Sequence, residues 1–304
     1  MERYETSRAV FRDRATNFIK EFTQTPNGIV CPHFFVLGHA LGCPYACDYC
    51  YLRKTLRRSP KPELFTNVDK MVKDIEKWLL KSRETKVLNA GELSETFAWE
   101  RERPFIKQII ASFADKNRNP YGHSLVFLTK CDDIGVLCGE QPSENVILSW
   151  SINAHEVADE YEHGSPIVSN RLKAMKAAKA WGWRIRARID PFLPVDDWNS
   201  LYSCVAKDVA SIGPERVTLG SLRWLPGLNS FFANKEIFEM ALDKDGADNR
   251  GRVKFEVRSE AYAMIARIMQ DAGIPVGLCK ETEDMWAKME AMDLVKRGCC
   301  NCTP

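Results

Sequence analysis

Short runs of hydrophobic residues alternate along the chain with longer amphipathic stretches. The clearest helix follows Asn67, a predicted N-cap, because apolar residues then recur at helical spacing. These residues are Val68, Met71, Val72, Ile75, Trp78 and Leu79. Similar patterns predict helices over 104–113, 169–180, 198–212 and 259–272. The short apolar runs predict strands over 33–38, 86–90, 124–129, 145–150, 183–189, 216–219 and 276–278.

Strands that alternate with helices favour a parallel sheet joined by right-handed crossovers, as an open sheet or as a full or partial barrel. Residues 5–30 are polar and predict a helical lead-in that ends near Pro26 and Gly28. The turn-rich segment 243–251 is the best candidate for an exposed excursion. We find no internal repeat, so we expect one domain with terminal extensions.

The composition limits the function classes. Of 304 residues, 45% are hydrophobic and 28% are charged, which suits a globular chain with a sizeable core. The formal net charge is only +2, which excludes the strongly basic surface of a general nucleic-acid coat protein. The sequence lacks an apolar run of about 18 residues and a secretory signal, so we expect a cytoplasmic protein without a membrane partner. Thiols stay reduced there, so the eleven cysteines indicate metal binding or catalysis rather than disulfides.

Three of the cysteines, Cys43, Cys47 and Cys50, follow the first predicted strand in a C-x3-C-x2-C array. A structural zinc site normally has four protein ligands, whereas three thiolates around a four-iron cluster leave one iron open for a substrate or cofactor. The alternative is a zinc site completed by His39 or by a distant cysteine. The spacing and the strand-to-loop context favour the iron–sulfur cluster.

This array resembles the mark of the radical S-adenosylmethionine (SAM) superfamily. The segments CPYACDYCYL, NAGELSE, VFLTK, LSWSIN and RIDPFLP are similar to its spore photoproduct lyase-like branch, between residues 31 and 226. The resemblance implies an α/β fold with a partial (β/α)6 TIM-type barrel over 31–280. From the pattern along the chain we further expect an N-terminal helical extension over 1–30, and a C-terminal helix and Cys-rich tail over 281–304.

The resemblance further implies which residues bind the cofactors. Cys43, Cys47 and Cys50 would hold a 4Fe-4S cluster whose open iron chelates the methionine part of SAM. Gly91 and Glu92 resemble the superfamily's Gly-Glu motif, in which glycine lets the backbone approach the ligand and the carboxylate accepts from the methionyl ammonium. The alternative for this pair is a strand-end turn with a solvated acid. Other positions expected near SAM are Ser94, Lys130, which would pair with the methionyl carboxylate, Ser151, Asn153 and Arg188.

The same resemblance points to candidate catalytic residues. In the lyase itself, a cysteine next to the serine of the second-strand motif returns a hydrogen atom to the repaired thymine, and Glu92 occupies that position here. A carboxylic acid is a poor hydrogen-atom donor, so lesion repair would need another thiol, for which Cys131 is the candidate. Tyr49 and Tyr51 match tyrosines beside the last cluster cysteine, where they would relay a radical or pack over the cluster.

The C-terminal cysteines are not explained by the lyase pattern. Cys299, Cys300 and Cys302 lie within four residues, and Cys279 follows the last predicted strand. Such thiolates suit a second cluster, a zinc ion or another soft metal, or a thiophilic substrate such as trivalent arsenic. The alternative is a frayed tail with unused thiols. Radical SAM enzymes that make carbon–arsenic bonds are faintly similar in carrying such a terminal group.

Basic residues form two local sets. The first follows the triplet and consists of Arg53, Lys54, Arg57, Arg58 and Lys61. It is expected to be a solvated loop or, less favoured, a nucleic-acid site. The second, Arg184, Arg186 and Arg188, alternates along one predicted strand and should share a face that needs anionic partners. Phosphates, the SAM carboxylate and ordinary ion pairs are the partners considered.

The expected function is reductive cleavage of SAM to generate a carbon radical, with an electron donor of the flavodoxin or ferredoxin type. The substrate is expected to be a small molecule or a metalloid, and a nucleic acid is less favoured because of the low net charge. Three alternatives remain open. They are transfer of the 3-amino-3-carboxypropyl group of SAM to a thiophile on the tail cysteines, nucleic-acid lesion repair, and a non-enzymatic metal- or nucleic-acid-binding module.

Overall fold

The computed structural model describes residues 9–56, 61–244 and 248–304. The first eight strands are β1 Val10–Arg12, β2 Ile19–Phe22, β3 Ile29–Val30, β4 Phe34–Leu37, β5 Ala40–Leu41, β6 Glu63–Phe65, β7 Val87–Asn89 and β8 Ser124–Thr129. The remaining strands are β9 Val146–Ser151, β10 Arg184–Phe192, β11 Val217–Ser221, β12 Arg223–Trp224, β13 Gly251–Arg252, β14 Val276–Leu278 and β15 Glu281–Thr282. The helices are α1 Leu52–Thr55, α2 Val68–Leu79, α3 Ile106–Ala114, α4 His155–Tyr161, α5 Val168–Ala180, α6 Trp198–Ile212, α7 Glu236–Glu239, α8 Phe255–Asp271 and α9 Glu283–Ala291.

The central sheet has eight strands in the order β14-β11-β10-β9-β8-β7-β4-β2. Within this sheet, the seven strands β4, β7, β8, β9, β10, β11 and β14 pair in parallel, and only β2 is antiparallel to its neighbour β4. The sheet follows chain order and the longer helices lie between its strands, which is the arrangement of a curled, open half-barrel. This confirms the α/β fold class expected from the alternating pattern.

The helices cover one face of the sheet and leave the other free for the site. On β10, Ile185, Ala187 and Ile189 belong to the main hydrophobic core together with residues of α5 and α6. The alternating residues Arg184, Arg186 and Arg188 therefore face the concave side, as predicted.

Helix α2 matches its prediction, although its N-terminus is held differently. Met71, Ile75 and Leu79 are fully buried at the expected spacing. Asn67 is at the N-cap but makes no capping hydrogen bond. Instead its side chain accepts from the backbone N–H of Arg14 and donates to the Arg14 carbonyl, both at 3.0 Å. Asn67 thus ties the N-terminal segment to the barrel.

The prediction of a helical N-terminal extension is wrong for residues 9–30, which form β1, β2 and β3. Strand β2 pairs with β4, where the rings of Phe22 and Phe34 stack at 5.0 Å, while β1 pairs with β6 and β3 with β15. An edge strand is exposed on much of its surface and therefore needs few apolar residues. Its backbone hydrogen bonds are satisfied by the neighbouring strand, so its polar sequence looks like that of a solvent-exposed helix. The extension is part of the barrel wall.

The structure describes only the ends of the polar segment 243–251, residues 243–244 and 248–251, so the predicted exposed excursion lies partly outside the described residues. Its ends are held because Asp243 bridges to Arg252 and β13 pairs with β12. A Cβ atom at Gly251 would lie 2.2 Å from the Trp224 indole nitrogen and 2.4 Å from the Ala241 carbonyl oxygen. Only glycine lets these chain segments approach so closely.

The C-terminal tail lies against the concave face of the sheet. Arg186 donates to the carbonyl oxygens of Asn301 and Thr303, at 2.9 and 2.8 Å. Arg216 donates to the Thr303 hydroxyl at 3.0 Å and to the Pro304 carbonyl at 2.9 Å. The tail is therefore docked and not frayed, because Arg186 of β10 and Arg216 just before β11 replace the sheet partners that the tail backbone lacks.

Gly277 on β14 is the tail's closest neighbour, and we predict that Gly277→Ala displaces the tail. A Cβ atom there would lie 2.6 Å from the Cys299 carbonyl carbon and 2.7 Å from the Cys300 nitrogen. Overpacking of this kind costs about 1–3 kcal/mol. Urea unfolding should show this loss, and carboxypeptidase should release Pro304 faster. Gly38→Ala is the control because its Cβ would meet only the Arg14 guanidinium, at an ordinary 3.5 Å. Equal stability of both variants would contradict the assigned docking.

Candidate active site

The cysteine triplet lies on a loop at the carboxyl end of β4, the first strand of the half-barrel. Backbone hydrogen bonds fix this loop on two sides. Gly42 donates to the Leu93 carbonyl at 3.0 Å, after β7, while Ala46 and Asp48 donate to the carbonyls of His163 and Tyr161 at 2.8 and 2.9 Å, after α4. The three cysteines are thus presented by a pinned loop, at the end of the sheet where barrel enzymes place their sites.

The triplet suits an iron–sulfur cluster by its chemistry. Burial raises the pKa of Cys43 and Cys50, and raises that of Cys47 to about 12, so one loop presents three thiols that favour the neutral form. Bound iron would replace their protons and balance the thiolate charge. Nowhere in the described residues do three Cys, His, Asp or Glu side chains group as they would around a single metal ion.

His39, the candidate fourth ligand for zinc, has other partners. Its ring stacks on Phe105 with centroids 4.7 Å apart, and its Nδ1 atom lies 3.0 Å from a guanidinium nitrogen of Arg103. The residue is fully buried. The surroundings of His39 therefore favour a packing role rather than the zinc alternative.

Next to the triplet, a buried carboxylate gathers four polar side chains. Glu162, in the turn after α4, has a fully buried side chain. One of its oxygens accepts from Lys130 Nζ at 2.6 Å, from Asn153 Nδ2 at 3.3 Å and from the Tyr49 hydroxyl. Its other oxygen pairs with Arg171 Nη1 at 2.5 Å. We call Tyr49, Lys130, Asn153, Glu162 and Arg171 the Glu162 hub.

The Glu162 hub keeps one unit of positive charge. Burial alone would raise the pKa of Glu162, but Lys130 and Arg171 outweigh it and lower that pKa to about 2. Two cations and one carboxylate leave a surplus of one positive charge next to the triplet, which suits a ligand carboxylate. Sequence reasoning missed Glu162 because an acid in a turn is ordinarily solvated. Two cations buried against one acid become visible only in the fold.

The remaining polar positions expected near SAM support the same loops. Asn153 accepts from the Tyr202 hydroxyl at 2.6 Å and donates to the Pro191 carbonyl at 3.2 Å. Ser94 donates to the Gly42 carbonyl at 2.5 Å and accepts from the Trp99 indole at 3.0 Å. Ser151 lies at the end of β9, with its hydroxyl 3.5 Å from the Asp190 carbonyl. These contacts bring the ends of β7, β9 and β10 around the triplet, while the predicted contacts with SAM stay predictions.

The Gly91–Glu92 turn follows β7 and differs in part from its prediction. A Cβ atom at Gly91 would lie 2.2 Å from the Leu128 carbonyl oxygen, so glycine is required here by the neighbouring strand β8 rather than by a ligand. Glu92 is not simply solvated, because its carboxylate lies 3.6 Å from Lys280 Nζ. The Tyr51 hydroxyl donates to the Glu92 carbonyl.

Cys131, the candidate hydrogen-atom donor, lies in the main hydrophobic core and is 6% exposed. Its sulfur points to the Asp133 carbonyl at 3.8 Å. Glu92 instead lines a cavity together with the thiols of Cys31, Cys279, Cys300 and Cys302. The thiols next to the Glu92 position thus come from the ends of the chain, whereas Cys299 contacts Gly277 through its backbone.

The basic sets mostly make internal contacts. Arg184 pairs with Glu215 at 2.8 Å, Arg186 also pairs with Glu215, and Arg188 pairs with Asp190. Lys54 donates to the Pro226 carbonyl, and the Arg53 guanidinium lies 5.7 Å from the Phe232 ring centroid. Arg57 and Arg58 lie outside the described residues.

None of the described helices is long and apolar enough to cross a membrane.

Solved structures share this architecture. Spore photoproduct lyase complexed with dinucleoside spore photoproduct is 17% identical, has a TM-score of 0.76, and is aligned over 91% of this chain and 84% of that one. Streptococcus suis SuiB bound to S-adenosylmethionine is 11% identical, has a TM-score of 0.54, and is aligned over 83% of this chain and 51% of that one. The fold is therefore the half-barrel that spore photoproduct lyase also has.

The family follows from the sequence match. The family model described as spore photoproduct lyase matches residues 33–219, and the chain belongs to this family. The spore photoproduct lyase of Clostridium acetobutylicum is 24% identical over 167 residues, which are 55% of this chain and 48% of that protein. The Bacillus subtilis enzyme is 23% identical over 185 residues, which are 60% and 53% of the two chains. The match thus spans about half the length of these relatives.

We predict that Glu162→Gln strongly destabilises the protein at neutral pH. The change leaves Lys130 and Arg171 buried without their counter-charge, and breaking a buried pair in this way costs about 3–5 kcal/mol. Urea unfolding of the cluster-free chain measures the loss. Glu156→Gln on α4 is the matched control because Glu156 is exposed, so this change should cost little.

The destabilisation by Glu162→Gln should also depend on pH. The folded-state pKa of Glu162 is lowered from 4.5 to about 2, so its contribution is complete above pH 4.5 and is lost as the pH falls toward about 2. The difference in unfolding free energy between wild type and Glu162→Gln should therefore shrink over this interval. A difference independent of pH would contradict an ionised Glu162 in the folded state.

Proposed function

We propose that the chain is an enzyme that reductively cleaves SAM at a 4Fe-4S cluster held by Cys43, Cys47 and Cys50. The observation that carries this proposal is the position of the cysteine triplet beside the Glu162 hub. The backbone of residues 161–163 holds the cysteine loop, and the same turn supplies the carboxylate that orients Lys130. A cluster ligand set and a surplus positive charge thus share one rigid support.

The chain's own residues bind and orient the cofactor in this proposal. A cluster held by Cys43, Cys47 and Cys50 would supply one electron, received from a flavodoxin- or ferredoxin-type donor, for breaking a carbon–sulfur bond of SAM, which would leave a carbon radical. Lys130 binds the methionyl carboxylate, since Glu162 neutralises only one of the two cations it contacts. Glu92 accepts from the methionyl ammonium while Lys280 and the Tyr51 hydroxyl hold its turn. The buried hub excludes water from this region.

For the substrate, family membership gives more weight to a nucleic-acid lesion than net charge alone does. One solved relative is complexed with dinucleoside spore photoproduct. This chain differs from the lyase pattern at Glu92, which occupies the position of the lyase's hydrogen-donating cysteine. Lesion repair by this chain would therefore draw its hydrogen atom from a thiol in the cavity that Glu92 lines, and Cys302 and Cys279 are the candidates. A small carbon substrate within the half-barrel is the second candidate.

We predict that the anaerobically reconstituted, reduced protein converts SAM to 5′-deoxyadenosine and methionine. Cys47→Ala should abolish cleavage because the cluster loses one of its three ligands, and iron per chain should fall with it. Cys138→Ala is the matched control, since Cys138 is exposed and lies outside the triplet. Chromatography of the nucleoside products and iron analysis of the same samples give the readout.

The product also separates the alternatives. Formation of 5′-methylthioadenosine would instead favour transfer of the aminocarboxypropyl group to a thiophilic acceptor. Added dinucleoside spore photoproduct tests lesion repair, whose product is the restored thymine pair. A colourless protein with stoichiometric zinc that does not cleave SAM would overturn the proposal and leave a binding module as the remaining class. Cleavage that survives Cys47→Ala would overturn the assignment of the cluster to the triplet.

A further inference from the structure

A small cavity on the concave face brings together cysteines that the cleavage of SAM itself does not use. It measures about 30 Å³, which is room for one or two water molecules. Its thiols come from three separate segments: Cys31 before β4, Cys279 after β14, and Cys300 and Cys302 in the tail. We call this space the thiol cavity. Its four cysteines lie outside residues 33–219, the part matched by the family model.

Cations surround the thiol cavity on the β14 side. The Cys279 sulfur accepts from Arg188 Nη2 at 3.2 Å and from Arg223 Nη2 at 3.3 Å. Both guanidiniums pair with the same carboxylate, Asp190. Two cations and one anion leave a surplus positive charge next to the sulfur, and a thiolate ligand would balance it.

Asn301 provides an independent sign that the cavity is built for an occupant. It lies between Cys300 and Cys302, lines the cavity and is 1% exposed. Both its side-chain oxygen and its side-chain nitrogen are buried without a hydrogen-bond partner. Leaving such groups unsatisfied costs free energy, so a ligand or water that contacts the amide would stabilise the tail.

The Cys302 thiol lies close to Cys300 and is buried among groups that favour its protonated form. Burial raises the pKa of Cys302, and the charge of Cys300 is the largest electrostatic contribution in the same direction. Burial also raises the pKa of Cys279, against the opposing effect of Arg188 and Arg223. A soft ion that replaces these protons would relieve the cost of burying the thiolates.

We propose that the thiol cavity binds a soft, thiophilic ion, with Cys300 and Cys302 as the first pair of ligands. No three donor side chains in the described parts of the chain surround a common point, so two sulfurs hold the ion first. Cys279 and Cys31 lie on other walls of the cavity and are the further thiols within it. Thiolates select soft ions over hard ones. The inference rests on the proposed function only in taking Glu92 and Arg188, which also line the cavity, as neighbours of SAM.

Arsenite is the probe, because it exchanges oxygen for sulfur without a redox step. Two As–O bonds break and two As–S bonds form, and the thiol protons leave with the oxygens as two water molecules. Reconstituted protein is incubated with arsenite without oxygen and desalted, and arsenic and iron per chain are then measured together. We expect about one arsenic per wild-type chain with iron unchanged, and the same for the exposed-cysteine controls Cys138→Ser and Cys204→Ser. Affinity should fall by about tenfold or more in Cys300→Ser and Cys302→Ser.

A second measurement needs no variant and covers the case in which a substituted tail fails to fold. Arsenite-loaded wild-type protein is unfolded in the presence of an alkylating reagent, and the modified peptides are identified by mass spectrometry. Cys300 and Cys302 should be protected, while Cys138 and Cys204 should be alkylated. Alkylation of Cys300 and Cys302 in arsenic-loaded chains, absence of bound arsenic, or wild-type binding by folded Cys302→Ser would overturn the proposal. SAM cleavage without arsenic binding overturns this site alone, and arsenic binding without SAM cleavage overturns the proposed function alone.

Discussion

The buried carboxylate of Glu162 is the interaction on which the geometry of the candidate site depends. It contacts the cysteine loop through Tyr49, β8 through Lys130 and α5 through Arg171. Its own turn accepts backbone hydrogen bonds from the cysteine loop. A charged group with a fully buried side chain is tolerated only when its partners are held in place. The same contacts that satisfy Glu162 therefore fix the positions of the groups around the triplet.

The half-barrel explains why these groups come from distant parts of the sequence. Parallel strands joined through outer helices bring their carboxyl ends to one edge, so each loop at that edge can contribute one or two polar residues. Here the loops after β4, β7, β8 and β9 surround the triplet, and the residue after β14 lies beside the tail. The concave face is too polar to pack as a core, since Arg186 and Arg188 point into it. The tail backbone supplies the carbonyl partners that Arg186 needs.

Sequence patterns predicted the elements that bury a continuous apolar face. The barrel strands and α2 repeat their apolar residues at fixed spacing, and the triplet carries its own spacing, so each was visible from local sequence. The N-terminal strands were not, because edge pairing satisfies the backbone without an apolar pattern. Glu162 and the docked tail were also hidden, since both depend on cations that arrive from other strands. The sequence predicted that Gly91 allows a close backbone approach by a ligand. The group that approaches it is Leu128 on the next strand, which local sequence could not reveal.

The two buried charge groups in the half-barrel are balanced in the same way. Lys130 and Arg171 contact one carboxylate, Glu162, and Arg188 and Arg223 contact another, Asp190. Each group leaves one positive charge for a partner that the carboxylates do not supply. At the first group that partner is assigned to the SAM carboxylate, within the part matched by the family model. At the second it is a sulfur, Cys279, which lies after that part and faces the tail thiols. A shared fold would thus carry two anion-accepting centres, of which the second depends on residues near the ends of this chain.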